Sequence, residues 1–214
     1  MSSTPAASVD DISKHGWTAV LRDADAIFKT KPPVKPSPLG IADMRFPSDD
    51  PVVAKVQRYA KEHLIEQTYN HSMRVYCWGL SIMKDQFPEY GSTLSTSTWA
   101  LACLLHDIGT THENLRATLM SFEFYGGLLA LNLIKEYGAP TAQAESVAEA
   151  IIRHQDLGTV GKITFLGQVI QLATIYDNMG GHPGLIDEST RQNVNKAYPR
   201  KGWSGCFSWR RRFP

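Results

Sequence analysis

Residues 163–178 are apolar on nearly every face of a helix, and this constrains the fold more than any other feature of the sequence. A surface helix buries only one stripe, so a segment that is apolar all round predicts a helix in the middle of a helical bundle. Asp177 stands at the end of this segment and is carried toward the interior with it. A buried carboxylate without a partner is costly, so the sequence predicts that another group compensates its charge.

The rest of the chain shows helical periodicity with capping signals. Asp49 or Asp50 can cap a helix that has Pro51 in its first turn. A cap cluster at residues 95–97 begins another helix that ends at His106. The remaining periodic segments predict helices at residues 69–86, 121–137, 141–154 and 188–197. We find no strand-like alternation and no βαβ rhythm, so the sequence predicts an all-α helical bundle.

The 214 residues suit one domain with one core, preceded by an extension. Residues 1–48 are predicted to form an N-terminal arm that is partly extended, because the prolines between positions 31 and 38 cannot continue a helix. Residues 49–214 are predicted to form the helical domain. This domain ends in a basic-aromatic tail at residues 200–214.

Composition excludes several classes of function. A formal net charge of +1 provides no positive field for nucleic acid, so a small-molecule substrate is favoured. No apolar run of about 18 residues and no signal-peptide pattern occurs, so we expect no membrane span and a cytoplasmic location. Cys77, Cys103 and Cys206 are odd in number and lack CxxC spacing, which favours reduced thiols.

A histidine and an aspartate, His106 and Asp107, lie side by side at the end of an apolar helix. Burying both is costly unless a cation repays the desolvation, and imidazole and carboxylate are good ligands for divalent metals. Burial of Asp177 carries the same desolvation cost. His71, at the start of the second predicted helix, is a fourth candidate ligand. Together these four residues predict a mononuclear metal site that activates water.

The ordered set of His, His-Asp and Asp, each on a separate predicted helix, resembles the HD superfamily of metal-dependent hydrolases. The resemblance implies an HD-domain helical bundle in which the four residues converge. It also implies that the metal ligands are His71, His106, Asp107 and Asp177.

The residues around these positions resemble the fungal cyanamide hydratases. The resemblance covers residues 16 to about 204 and is carried by GWTAV (16–20), TYNHSMRV (68–75), STWAL (97–101), MSF (120–122), YGG (125–127), EAIIRH (149–154) and ITFLGQ (163–168). The family implies that water is added to the nitrile of cyanamide to give urea. It favours Zn²⁺ as the cofactor over Fe²⁺, although the nitrogen and oxygen donors suit both metals.

A hydratase of this kind attacks the nitrile carbon with a metal-bound hydroxide and must deliver a proton to the nitrile nitrogen. His154 and His112 are the candidate proton shuttles, although His154 can equally cap its own helix and His112 can lie in an exposed loop. Asn70 and Thr174 stand close to predicted ligands and are candidates for substrate contacts. Thr174 can instead bond to its own helix carbonyl.

Two aromatic segments have alternative interpretations. Phe122, Phe124 and Tyr125 can line a tight substrate pocket or belong to the ordinary core. The tail can bind single-stranded nucleic acid, but we favour its packing onto the domain or onto a second subunit of a homodimer.

Two other functions compete with the hydratase. A phosphohydrolase acting on a nucleotide needs positive groups near the metal, which Arg74 and Arg116 can supply. Many HD phosphohydrolases, however, have a Lys where this chain has Thr110. A bundle that serves only as a scaffold would not need all four ligands, which are intact here.

Overall fold

A computed structural model of the chain describes residues 8–203. In this part, no helix is both long and apolar enough to cross a membrane. The α-helices are α1 (Val9–Lys14), α2 (Ala24–Thr30), α3 (Pro51–His63), α4 (Glu66–Gln86), α5 (Pro88–Gly91), α6 (Thr96–Leu105), α7 (His112–Ala117), α8 (Phe122–Glu136), α9 (Thr141–Arg153), α10 (Phe165–Met179) and α11 (Glu188–Ala197). The two strands are β1 (Ala19–Leu21) and β2 (Lys162–Thr164), and short 3-10 helices span Ile41–Asp43, Ile108–Thr110 and Pro183–Leu185.

The central helix predicted from the apolar segment is confirmed as α10, which packs against α4, α6 and α9. Its first turn is capped by the Thr164 side chain, which accepts a hydrogen bond from the amide of Gly167. Its last turn contains the buried Asp177. Gly180 ends the helix in the left-handed conformation with φ 67°, a geometry that glycine adopts without steric cost.

The predicted caps are also confirmed. Asp50 accepts hydrogen bonds from the amides of Val52 and Val53 and begins α3. Ser95 accepts from the amide of Thr98 and begins α6. These local signals depend on only a few neighbouring residues, which explains why the sequence locates them well.

The prediction of no strands is wrong at one place. β1 pairs with β2 in an antiparallel sheet in which Val20 lies opposite Ile163, so that α10 begins two residues later than predicted. Each strand has three residues, too few to produce a recognisable alternation. The pairing is made between two distant parts of the chain, and the all-α class is otherwise confirmed.

The described residues that precede α3 pack onto the helical bundle, while the division of the chain into an arm at 1–48 and a helical domain at 49–214 stays a prediction. Trp17 Nε1 donates to the carbonyl of Ala142, and the Ser146 hydroxyl donates to the carbonyl of His15. His15 is buried, and its Nδ1 lies 2.9 Å from Oγ1 of Thr98. This part of the chain contains α1 and α2, and residues 32–40 have no regular secondary structure.

Cys77 and Cys103 are buried free thiols, as predicted, and burial raises the pKa of Cys77 to about 12. A thiol with such a pKa is unreactive at neutral pH. Cys206 lies outside the described residues.

Candidate metal centre

Four parts of the bundle meet at one buried cluster of polar side chains. The early part of α4 carries His71, the segment that follows α6 carries His106 and Asp107, the end of α9 is followed by His154, and the last turn of α10 carries Asp177. Each of these side chains is 3% exposed or less. The apolar helices therefore place five groups that can bind a metal or a proton inside the core.

Three of these residues form a compact group. The Nε2 atoms of His71 and His106 lie 3.1 Å apart. Oδ2 of Asp107 lies 3.4 Å from Nε2 of His106 and 3.7 Å from Nε2 of His71. The ligand atoms of this group all lie within 4.8 Å of one another.

Hydrogen bonds on the opposite ring nitrogens orient the histidines. Nδ1 of His71 lies 2.6 Å from Oδ2 of Asp177, and Nδ1 of His106 lies 2.8 Å from the carbonyl of Cys103. Nδ1 of His154 lies 2.6 Å from the carbonyl of Ile151. Because these oxygens only accept, each Nδ1 carries the hydrogen, and a neutral ring then presents a lone pair at Nε2.

The cluster contains buried atoms whose hydrogen bonds are unmade. Neither oxygen of Asp107 nor Nε2 of His154 has a hydrogen-bond partner among the described residues. In the interior, such groups are costly unless a further polar species meets them. A cation bound by nitrogen and oxygen at 2.0–2.2 Å in tetrahedral geometry separates its ligand atoms by about 3.3 Å, close to the distances in the compact group. The residues present therefore fit a divalent metal.

Charge in the cluster favours an ionised carboxylate. Burial alone raises the pKa of Asp107, but the imidazoles of His106, His154 and His71 outweigh this effect and hold the pKa well below its usual range. Burial lowers the pKa of His71, despite the opposing effect of Asp177. An anionic Asp107 beside a neutral His71 is the protonation state that a metal requires of these two ligands.

Asp177 is brought next to the compact group but has other contacts. Its carboxylate accepts two hydrogen bonds from Arg74, both at 2.8 Å, and one from Trp78 Nε1 at 2.8 Å. It also contacts Nη1 of Arg200 at 3.2 Å and Nδ1 of His71. Burial alone raises the pKa of Asp177, but these donors hold it far below its ordinary value. The assignment of Asp177 as a ligand stays a prediction.

A close backbone approach fixes the position of the His106–Asp107 doublet. The 3-10 helix that follows it lies against the start of α8, where a Cβ at Gly109 would come within 2.1 Å of the carbonyl of Phe122. Thr110 donates from Oγ1 to the carbonyl of Asp107 at 2.7 Å. Glycine at this position thus lets the doublet pack directly on α8.

The other sequence candidates differ in their placement. His112 is exposed at the start of α7. Thr174 is buried, but its hydroxyl donates to the carbonyls of Ile170 and Gln171 in its own helix. Asn70 donates from Nδ2 to the carbonyl of Pro199 at 3.0 Å. The side chains of Thr174 and Asn70 therefore donate their hydrogen bonds to backbone carbonyls.

The three aromatic residues proposed to line the substrate pocket lie in different surroundings. The ring of Phe122 lies 5.7 Å from the ring of His154, edge to face, so this residue borders the cluster. Phe124 is 53% exposed and Tyr125 is half-buried. The three residues do not form one continuous wall.

Sequence reasoning missed a residue of the tail. Trp203 stacks on the ring of His71 with centroids 4.2 Å apart and an interplanar angle of 15°, and it donates from Nε1 to Asn178. The basic-aromatic composition predicted packing, but it gave no indication of which surface is covered. Phe207, Trp209 and residues 210–212 lie outside the described residues.

Comparison with known proteins gives the following matches. The family model named HD domain matches residues 68–179. Two proteins of Saccharomyces cerevisiae, cyanamide hydratase DDI2 and cyanamide hydratase DDI3, are each 39% identical over 199 residues, which is 92% of this chain and 85% of each relative. A solved structure, described as a predicted HD superfamily hydrolase from an uncultured Thermotogales bacterium, is 18% identical with a TM-score of 0.45, over 80% of this chain and 97% of that one.

Proposed function

Because the chain belongs to the HD domain family, and within that family to the cyanamide hydratases that include the two yeast proteins, we propose that it adds water to the nitrile of cyanamide to give urea. The yeast relatives carry that activity in their names, and the chain covers most of their length. An enzyme of this kind is a hydro-lyase, since it forms a new C–O bond and expels no group.

One observation carries the proposal. The Asp107 carboxylate is buried without a hydrogen-bond partner among the described residues, and it faces the Nε2 atoms of two anchored imidazoles. Burial of an unpaired carboxylate raises the free energy of the folded state, and a bound divalent cation would offset this cost. We propose that His71, His106 and Asp107 hold this cation.

When bound, the cation would supply Lewis-acid chemistry and lower the pKa of a water molecule toward about 7. In the overall reaction, the water oxygen bonds to the nitrile carbon, the nitrile π bond breaks, and one proton passes to the nitrile nitrogen. The resulting isourea tautomerises to urea. The protein therefore has to position a proton-carrying group beside the substrate nitrogen.

We assign that role to His154. Its Nδ1 is held by the carbonyl of Ile151, which leaves Nε2 directed at the cluster, 3.7 Å from Oδ1 of Asp107. That separation is too long for a direct hydrogen bond and leaves Nε2 available to a substrate or a water molecule. His112 is exposed, and Thr174 and Asn70 already donate to backbone carbonyls, so we give these three no step in the reaction.

The enclosure of the cluster supports a small, uncharged substrate. The ring of Trp203 covers one face of His71, and the edge of Phe122 approaches His154. Cyanamide is linear and has three heavy atoms, so a narrow site would admit it and exclude larger molecules. A nucleotide would have to displace these side chains.

The contacts of the arginines disfavour a phosphohydrolase. Arg74 is fully buried, and its guanidinium is held by Asp177 and by the carbonyl of Tyr198, so it does not face a substrate phosphate. Arg116 is exposed on α7. With Arg74 held by Asp177 and Arg116 on the surface, neither of these two arginines is placed to stabilise the developing charge of a transferred phosphoryl group.

One assay separates the two functions. The purified protein is loaded with zinc and given either cyanamide or a nucleotide panel, and urea and phosphate are measured. We expect urea from cyanamide alone, loss of activity with a chelator and recovery with zinc. Phosphate release without urea would overturn the proposal, and stronger recovery with Fe²⁺ would replace zinc by iron. The cytoplasmic location and the homodimer stay predictions.

A further inference from the structure

We propose that Arg22 and Gln171 are positioning residues for His154, and that they hold the chain after α9 so that Nε2 of this histidine stays directed at the cluster. We call residues 153–158 the α9 turn. The inference rests on the role given to His154 in the proposed function. It gives the segment before α3, which contains Arg22, a part in the site.

His154 stands where the regular helix has already ended. The last residue of α9 is Arg153, and the carbonyls of a last helical turn have no partner within their own helix. The contact of Nδ1 with the carbonyl of Ile151 fixes the ring relative to that turn, but it does not fix the turn itself. The position of Nε2 therefore depends on the groups that hold the α9 turn.

Gln171 holds the α9 turn from the interior. It belongs to the central helix α10 and is 2% exposed. Its Nε2 donates to the carbonyl of Arg153 at 2.7 Å and to the carbonyl of Asp156 at 3.1 Å, so one side chain bonds to residues on both sides of His154 in the sequence. A side-chain amide has two N–H donors, and both are used here. The α9 turn is thus tied directly to the middle of the bundle.

Arg22 holds the same turn from the segment before α3. It follows β1, and its Nε and Nη2 donate to the carbonyl of Asp156 at 3.0 and 2.7 Å. Nη2 also forms an ion pair with the carboxylate of Asp156. The guanidinium therefore grips one residue through both its backbone and its side chain, and the rigid fork of donors defines the geometry.

The approach of Arg22 depends on Gly158. A Cβ at this position would lie 2.6 Å from Cζ of Arg22, so only glycine leaves room for the guanidinium against the turn. The backbone of Arg22 is fixed as well, because its amide donates to the carbonyl of Gly161 at 3.1 Å. Since β1 pairs with β2 and α10 begins directly after β2, Arg22 and Gln171 belong to one connected frame.

These contacts predict an effect on proton transfer without an effect on the metal. The side-chain hydrogen bonds of Arg22 and Gln171 go to the α9 turn, whereas the three proposed metal ligands belong to α4 and to the segment after α6. A displacement of about 1 Å at a reacting group can lower the rate about 10²-fold. Loss of either residue should therefore lower kcat while zinc stays bound.

The first test is structural and does not depend on turnover. Crystal structures of zinc-loaded wild type, Gln171→Met and Gly158→Ala are compared. We expect Nε2 of His154 to move by more than about 0.5 Å in both variants, the tolerance within which a catalytic group has to be held, while the proposed metal ligands keep their positions. Gly158→Ala displaces only the far end of Arg22, so we expect it to fold even where the other change prevents folding. An unmoved His154 in the folded variants would overturn the proposal.

The second test is kinetic, on variants that circular dichroism has shown to be folded. We expect Arg22→Met and Gln171→Met each to lower kcat for cyanamide about 10–100-fold, with one equivalent of zinc retained and little change in KM. Arg22→Lys, which keeps a cation that can donate to Asp156, should recover part of the loss. Unchanged kcat in both methionine variants, or loss of zinc from them, would contradict the positioning role.

Two matched controls separate positioning from stability. Gln86 is 4% exposed and bonds to the backbone of Val34 at the other end of α4, so Gln86→Met removes comparable hydrogen bonds without touching the α9 turn. Arg191→Met removes an exposed ion pair with Glu188. Both controls should keep the wild-type kcat. An equal loss of kcat in Gln86→Met would assign the effect of Gln171→Met to general destabilisation.

A double variant shows whether Gln171 acts through His154. Residues that act as a unit have non-additive effects, so Gln171→Met should lower kcat little further when His154→Gln is already present. A full 10–100-fold loss in that background would overturn the proposal. If the chain hydrates no cyanamide at all, the proposed function fails, and the crystal comparison still decides whether the α9 turn is held by these two residues.

Discussion

Nε2 of His154 and Oδ1 of Asp107 face each other across 3.7 Å in the core, and neither atom has a hydrogen-bond partner among the described residues. Two unmade hydrogen bonds so close together cost free energy of folding, of the order of 1–3 kcal/mol for each group. A metal bound to Asp107 and a substrate bound to His154 would offset that cost. Substitution of Asp107 therefore tests metal binding, and substitution of His154 tests proton transfer.

Removal of the Asp107 charge should abolish metal-dependent stabilisation. Zinc at about 1,000 times its Kd should raise the unfolding free energy of the wild-type protein by about 4 kcal/mol, because it binds only the folded state. In Asp107→Asn we expect no increase, measured by urea unfolding with and without zinc. An equal increase in both proteins would show that the carboxylate is not a ligand.

Replacement of His154 should lower turnover while the metal remains. We expect His154→Gln to retain one equivalent of zinc by elemental analysis and to lower kcat for cyanamide hydration about 10²–10⁴-fold, the usual contribution of a positioned proton carrier. His63→Gln, at the exposed end of α3, is the matched control. Loss of metal from His154→Gln would assign His154 to the ligand set instead.

The same assay on His112→Gln compares the two histidines that the sequence proposed. Because His112 is exposed at the start of α7, we expect a much smaller effect than at His154. A larger loss at His112 would reassign the proton relay.

The buried His15 should make stability depend on pH. Burial, together with the charge of Lys14, lowers the pKa of His15 below its ordinary 6.5. The folded state then keeps this ring neutral while the unfolded state binds a proton, so stability is complete above pH 6.5 and falls as the pH drops toward the folded pKa. We expect the difference in unfolding free energy between wild type and His15→Asn to diminish from pH 7.5 to about pH 5.

Asparagine at position 15 keeps an oxygen acceptor near the Thr98 hydroxyl but does not titrate. Chemical unfolding of both proteins at several pH values gives the measurement. A constant difference across this range would contradict the role given to His15. All other ionisable groups are the same in the two proteins, so their effect cancels in the comparison.

The left-handed glycine that ends α10 should resist substitution. Gly180→Ala forces a side chain into φ 67°, which we expect to lower the unfolding free energy by about 1 kcal/mol. Gly184→Ala is the control, because an added Cβ there meets no atom within 4 Å and the backbone is not left-handed. Equal stability of the two variants by urea unfolding would contradict the importance of this cap for α10.

Features that depend on near neighbours could be predicted from the sequence. The apolar segment predicted the central helix α10, and Asp50 and Ser95 predicted where α3 and α6 begin, because capping is made within three residues. The His106–Asp107 doublet at the end of an apolar helix predicted a buried metal site for the same reason. Its two members are adjacent in the chain and must be buried together.

Contacts between distant parts of the chain were decided only by the tertiary structure. The pairing of β1 with β2 joins residues more than 140 positions apart, and the stacking of Trp203 on His71 joins the segment after α11 to α4. The sequence made Asp177 and Asp107 look alike, since both are acids at the ends of apolar helices. Arg74, Trp78 and Arg200 distinguish them, because these side-chain donors, from α4 and from the segment after α11, reach Asp177, whereas the oxygens of Asp107 have no hydrogen-bond partner among the described residues.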